Sequence, residues 1–312
     1  FKEASRKGFE VAGIMSNSVR FIGIANSEGL RASQTSTDAS FSLTVDNKKD
    51  GSGWASYDTR DVEKLPFEKV IEKAITKAEK NVNPIELPPG EYTVILEPAA
   101  VAELLDFAAY MGFGAQSYLD GQSFLIGKLG QKIFDKKLNI IDSPFNDIYP
   151  GQPFDYEGMP KQELVLVENG VAKTLAHDRI TAKKMDAKST GHSLPQPNPW
   201  GPIPFNVILK AGKNSEEEMI SSTKRGLLVT HFHYTNVVEP RKLILTGMTR
   251  DGLFLIEDGK VTKPVKNFRF TESVIKAFNE VDMVGDKLEY HGFTIAPALK
   301  LPRFTFSSGT QF

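Results

Sequence analysis

The residues best equipped for chemistry in this chain stand together at Thr230-His231-Phe232-His233-Tyr234. On a strand, residues two apart point the same way, about 6.5–7 Å from each other, so His231 and His233 could share a cation. Such a pair needs a third ligand, for which His177, His192, His291 and Asp106 are candidates. Without a metal, the same run suits the wall of a groove that holds an extended peptide, with Tyr234 beside the imidazoles. The plainer reading is that the rings line a polar cleft or satisfy backbone groups. Nucleophilic catalysis finds little support: no serine sits in a G-x-S-x-G elbow, and His192 follows Ser189-Thr190-Gly191 only as a sequence neighbour. The chain has no cysteine, which removes disulfides, thiolate metal sites and cysteine nucleophiles together.

Positioning these residues takes a sizeable fold. With 312 residues, 40% hydrophobic and 25% charged, the chain can build two cores. A net charge of −1 steers it toward neither nucleic acid nor anionic lipid. No apolar run reaches about 18 residues, so no membrane span is expected and a cytoplasmic location is the default. Residues 9–58 read as antiparallel strands, with Arg20–Ala25, a turn at Asn26–Gly29, and alternation over Ser40–Val45. From Asp61 to about Val82, Val70, Ile71, Ala74, Ile75 and Ala78 recur at helical spacing. Asn83–Gly90 resists helix and strand and marks a domain boundary at residue 88. A strand over 91–97, a helix over 98–113 and a second helical stretch over 123–134 are predicted beyond it. The strand Glu163–Glu168 turns at Asn169-Gly170, a pair suited to a tight hairpin. Asp178-Arg179 then reads as an ion pair bracing that hairpin. Leu194–Pro202 is a Pro-rich irregular loop in which Trp200 is an interface anchor or a local pin, and short helices are expected near 215–223 and 271–280. Strands grouped in blocks argue for α+β, with mixed or antiparallel sheets and a few long helices.

Phe154–Gly191 carries the acidic turn Asp155-Tyr156-Glu157-Gly158, the hairpin, a Lys/Arg-rich segment and Ser189-Thr190-Gly191. As a string it resembles the core block of the TldD/TldE (PmbA) family, the so-called modulators of DNA gyrase. Gly90–Leu96 with its following apolar helix resembles the family's strand before its metal helix. Gly226–Thr230, Thr246-Gly247 and Phe254–Val261 match the late blocks, and Pro297–Thr310 resembles the C-terminal strand. The likeness runs from about residue 19 to the end. It implies a two-domain TldD/PmbA-like architecture. Residues 1–88 would be the C-terminal part of an N-terminal α+β domain short of roughly its first hundred residues. Residues 89–312 would be the mostly β C-terminal domain, with the former metal helix at 98–113.

In the family's catalytic subunit that helix carries His-Glu-x-x-x-His, and a cysteine completes the ligands. Aligned through Val94-Ile95-Leu96-Glu97-Pro98, Asp106 falls at the first histidine, Phe107 at the glutamate and Met111 at the second histidine. Aspartate could still ligate zinc, but phenylalanine cannot act as a base and a thioether is a poor zinc ligand. Losing the base alone would remove roughly 10²–10⁴-fold in rate. Leu104, Leu105, Phe107, Ala108 and Met111 are then expected to pack inward. The resemblance thus implies a TldE-like subunit of a zinc metallopeptidase system that acts on peptides or unfolded segments. This chain would hold no cofactor, and a TldD-like partner would supply zinc. Asp106, His231, His233 and Tyr234 form the candidate substrate-binding set, with no nucleic acid or membrane partner. The alternatives are an autonomous homodimeric peptide- or small-molecule-binding protein, and a hydrolase with a noncanonical metal site at His231/His233.

Overall fold

A computed structural model describes residues 2–310. The chain opens with a short helix, α1 (Lys2–Arg6), then the strands β1 (Glu10–Ala25), β2 (Arg31–Asp46) and β3 (Ser52–Thr59), and α2 (Phe67–Lys80). After the Pro-rich linker come β4 (Gly90–Leu96), α3 (Pro98–Gly112), α4 (Ala115–Leu119) and β5 (Ile140–Asp142). The hairpin β6 (Leu164–Glu168) and β7 (Val171–Ala172) follows, then α5 (Arg179–Lys184), β8 (Val207–Leu209) and α6 (Glu216–Ser221). The remainder is β9 (Arg225–Glu239), β10 (Ile244–Glu257), β11 (Lys260–Pro264), β12 (Phe268–Ser273), α7 (Val274–Phe278), β13 (Met283–Val284), β14 (Glu289–His291), β15 (Thr294–Ala296) and β16 (Leu299–Gly309). The expected α+β class holds.

The first sheet runs β1-β2-β3, antiparallel throughout. Helix α2 covers it, and its Val70, Ala74, Ile75 and Ala78 meet Leu43, Val45 and Ala55 in a separate small core. The approach is close because of Gly53, where an added Cβ would lie 2.2 Å from the Ala74 carbonyl oxygen. The helix begins at Phe67, later than the apolar spacing predicts. Pro66 is the reason: it holds Leu65 in an extended conformation. Asp61 instead caps a single 3₁₀ turn at Val62–Lys64, accepting from the Glu63 amide.

The second sheet closes on itself. Strand β10 pairs with β12, β12 with β16, β16 with β4, β4 with β9 in parallel, and β9 again with β10. Closure leaves no free edge around the ring. Alternate residues separate its two faces. Val94, Leu96, Leu227, Val229, Leu253 and Leu255 join the main core, while Ile95, Leu228, Phe254 and Ile256 cluster with Met219 of α6. Phe232, Phe270 and Phe304 pack ring on ring in the main core, with centroids 4.5–5.6 Å apart. The third sheet, β14-β15-β8-β5-β6-β7, is mixed. Helix α3 lies against β9, β14 and β15, between the ring and this sheet.

Two expectations fail here. Residues 123–134 are a turn-rich loop, not a helix, because Gly127 and Gly130 adopt left-handed φ of 68° and 78°. The apolar Phe124, Leu125, Ile133 and Phe134 that suggested a helix anchor that loop in the core. Asp178 does not pair with Arg179; it is the N-cap of α5 in a capping box with Thr181, 2.7 Å from the Thr181 amide. The hairpin turn is as expected, with Asn169 and Gly170 at φ 49° and 76°.

Candidate functional site

The predicted site residues lie where the first sheet faces α3 and the ends of β9 and β14. Helix α3 buries Leu104, Leu105 and Ala108 completely, whereas Phe107 and Met111 are partly buried against the same core. Its Asp106, Phe107 and Tyr110 line the pocket side, with Glu103 one turn earlier on the same helical stripe. Asp106 takes a hydrogen bond from the Thr294 hydroxyl at 2.7 Å, and the Phe293 amide lies 3.3 Å from both its carboxylate oxygens. Burial outweighs those donors and pushes the Asp106 carboxyl up to about 7. Glu103 is also raised by burial. Two neighbouring carboxyls that resist ionisation make this wall less acidic than its composition suggests.

Beside Asp106, Phe107, Ala109, Tyr110, Pro204, Phe205 and Phe293 line a small apolar pocket of about 230 Å³. Its lip is aromatic: Phe205 and Phe293 meet at 4.8 Å, and Trp200, 62% exposed, leans on Tyr110 at 5.5 Å. Such a recess takes an apolar side chain and holds it by burial. Phe205 and Phe293 also wall a larger, polar cleft of about 650 Å³ between the first sheet and the loops of the second half.

The imidazoles are placed differently from a metal pair. His231 Nε2 lies 3.1 Å from Asp251 Oδ2 and its Nδ1 lies 2.9 Å from the Phe232 carbonyl oxygen. With both nitrogens facing acceptors, the ring has no lone pair turned toward a cation. Its face stacks on Trp54 of β3 at 4.4 Å, and the Ser52 hydroxyl donates to Asp251 at 2.6 Å. His231 therefore braces the first sheet against the ring of strands. His233 is more open, next to Tyr234, which is 71% exposed and left-handed at φ 52°. Burial and the charge of Arg250 hold the His233 imidazole below its ordinary range.

The proposed third ligands are dispersed. His291 lies 6.2 Å from the Trp54 indole and bonds Glu289 at 3.1 Å. His192 is deeply buried elsewhere, held between Asp142 at 2.8 Å and Thr190 at 2.9 Å, and His177 shares the Thr190 hydroxyl through its backbone. Among the described residues, no group of three or more His, Asp or Glu side chains stands as a metal-binding set. On α3 the donors do not fit zinc. The Asp106 carboxylate is engaged, Phe107 has no lone pair, and Met111 offers a thioether packed against the core.

Three contributors were not singled out from the sequence. Glu103 was legible as the i−3 neighbour of Asp106. Trp54 and Phe293 were not, because they meet His231 and Asp106 only through the tertiary arrangement. A further tie joins the two halves: buried Glu97, the N-cap residue of α3, meets Lys77 of α2 at 2.6 Å and Lys73 at 3.1 Å. Burial alone would push Glu97 up, but the two ammonium groups overcome it and hold the carboxyl down at about 2.

Comparison with known proteins matches two consecutive family descriptions. "PmbA/TldA metallopeptidase central domain" covers residues 2–82, and "PmbA/TldA metallopeptidase C-terminal domain" covers residues 89–308. A metalloprotease of Methanothermobacter thermautotrophicus is 28% identical over 88% of this chain and 63% of its own length. A TldD-homologue metalloprotease of Haemophilus influenzae is 28% identical over 70% of this chain and 45% of its own. The chain thus spans between about half and two thirds of these relatives. The solved structure of TldE from Thermococcus kodakarensis superposes with a TM-score of 0.89 at 25% identity, over 98% of this chain and 72% of that one.

Proposed function

This chain belongs to the PmbA/TldA (TldD/TldE) metallopeptidase family, and from that membership we propose that it is a TldE-like, non-catalytic subunit of a cytoplasmic peptidase. A TldD-like partner supplies zinc and base. This chain contributes a wall of the chamber and holds an extended peptide along α3 and the β9 strand. The observation that carries the proposal is the stripe at Asp106, Phe107 and Met111, where the family's catalytic helix has two histidines and a glutamate. The aromatic recess beside Asp106 supports peptide holding, since it offers burial to an apolar side chain. No helix among the described residues is long and apolar enough to cross a membrane.

The test is reconstitution. The purified chain is expected to carry zinc well below one equivalent and to leave unfolded peptides intact. Mixed with a TldD-type chain, it should form a stable complex with chelator-sensitive peptidase activity. Stoichiometric zinc in the isolated chain, lost in a His231→Ala/His233→Ala double variant along with turnover, would overturn the proposal in favour of an independent hydrolase.

A further inference from the structure

The larger cleft contains a cation with unused donors. Lys161 lines it, and among the described residues its ammonium makes one hydrogen bond, to Asn206 Oδ1 at 3.2 Å. An ammonium has three N–H groups, so two remain for a ligand. Asp142 and Asp155 lie close enough to act on its charge, yet both are committed elsewhere. Asp142 takes His192 on one oxygen and the Asn206 amide on the other, at 2.8 and 2.7 Å. Asp155 takes the amides of Glu157 and Met159 on Oδ1 and of Ser193 on Oδ2, each at 2.9 Å. No carboxylate oxygen of the described residues lies within the 4.0 Å of an ion pair with Lys161.

A second cation, Arg60, lines the same cleft in a similar condition. The Arg60 guanidinium donates to the carbonyls of Pro150 and Thr37, at 2.8–3.1 Å, and lies 4.0 Å over the Tyr149 ring. Those partners carry no full charge. The acids that share the cleft offset this little: Asp38 is occupied by the Tyr149 hydroxyl, and burial pushes Asp58 toward its neutral form. Burial likewise draws the Lys161 ammonium below the ordinary lysine range, a cost that an arriving anion would reverse. The polar cleft meets the apolar pocket at the shared wall of Phe205 and Phe293. A ligand long enough to occupy both has a charged group at one end and an apolar side chain at the other.

We infer that this cleft is a carboxylate-binding subsite, in which Lys161, with Arg60 in the same cleft, takes a carboxylate of an extended peptide whose apolar side chain enters the pocket beyond Phe205 and Phe293. The inference rests on the peptide-holding role proposed above and adds what the peptide must carry. Three short fluorescent peptides of one apolar sequence test it by anisotropy on the purified chain: a free C-terminal acid, its carboxamide, and a carboxamide ending in glutamate. The free acid is expected to bind about tenfold or more tighter than the plain carboxamide, as a charge-assisted hydrogen bond provides. That ratio should fall to about one in Lys161→Gln and persist in Lys161→Arg, both with the parent melting temperature. Tight binding of the glutamate carboxamide would assign the site to side-chain carboxylates, and weak binding to the chain terminus; either supports the subsite. Binding of both the acid and the glutamate carboxamide no tighter than the plain carboxamide in the parent chain, or an unchanged carboxylate preference in Lys161→Gln, would overturn it while leaving peptide holding intact. Failure of all three peptides to bind would remove the peptide-holding role and the subsite with it.

Discussion

At the scale of single residues, Asp106 shows how environment changes what a side chain can do. In water it would be a carboxylate ready for a metal; here burial pushes it up to about 7 and two donors fix its oxygens. Its proton is therefore kept longer in the folded than in the unfolded chain, whose ordinary value is 3.8. The resulting stability is fully present below about pH 4 and is lost as pH rises through about 7. Asp106→Asn, which cannot ionise, should be the more stable protein at pH 8, by about 1–2 kcal/mol after allowing for altered hydrogen bonds. That advantage should disappear as pH falls toward 4. Denaturant titrations of both proteins across that range measure it, and parallel pH profiles would contradict the assignment. The sequence showed that Asp106 stands on the critical helix, but not this property, because Phe293 and Thr294 arrive from far along the chain.

Among the elements, the legible ones were those whose signals are local. Helix α2, the strand–helix step at β4 and α3, and the Asn169-Gly170 hairpin each follow from spacing or turn chemistry inside one segment. The stretch at 123–134 misled because its apolar residues are core anchors, and two left-handed glycines outweigh their helical spacing. Asp178 misled because a cap and an ion pair begin with the same residue, and only the position of Thr181 decides. The junction of α2 with α3 was invisible from sequence, since Lys77 and Glu97 belong to different periodic segments. Their pair makes a sharp prediction. Lys77→Met leaves Glu97 buried with Lys73 alone and should cost about 2–4 kcal/mol, less than a fully orphaned charge because Lys73 stays. Adding Glu97→Gln should recover part of that loss, as a double-mutant cycle would reveal. Glu97 stabilises the fold above its ordinary 4.5 and ceases to do so as pH falls toward about 2, so the parent should lose this contribution only in strong acid.

For the whole molecule, the cleft exists only because two separately cored halves meet. Trp54 is one contact of that meeting, stacked on His231 at 4.4 Å and tilted toward His291 at 6.2 Å. Trp54→Ala is expected to cost about 2–3 kcal/mol, below the usual loss for a fully buried indole because this ring is partly exposed. Hydrogen exchange would show faster exchange in β1–β3 and unchanged protection in β9 and β10. Uniform loss across both halves would mean that they melt as one unit. The family architecture was readable from strings of residues, whereas the cleft was not, since its walls are drawn from positions as far apart as Arg20 and Phe293.

The closed ring of strands also constrains how this polypeptide is born. Its seam joins Val94 to Leu227, and the stave between β12 and β4 is β16, which finishes at Gly309. During synthesis β4 must wait, apolar and half-paired, until more than two hundred further residues have left the ribosome. A nascent chain stalled before Leu299 should therefore leave β4 and β12 open to protease, and release of the last segment should protect both at once.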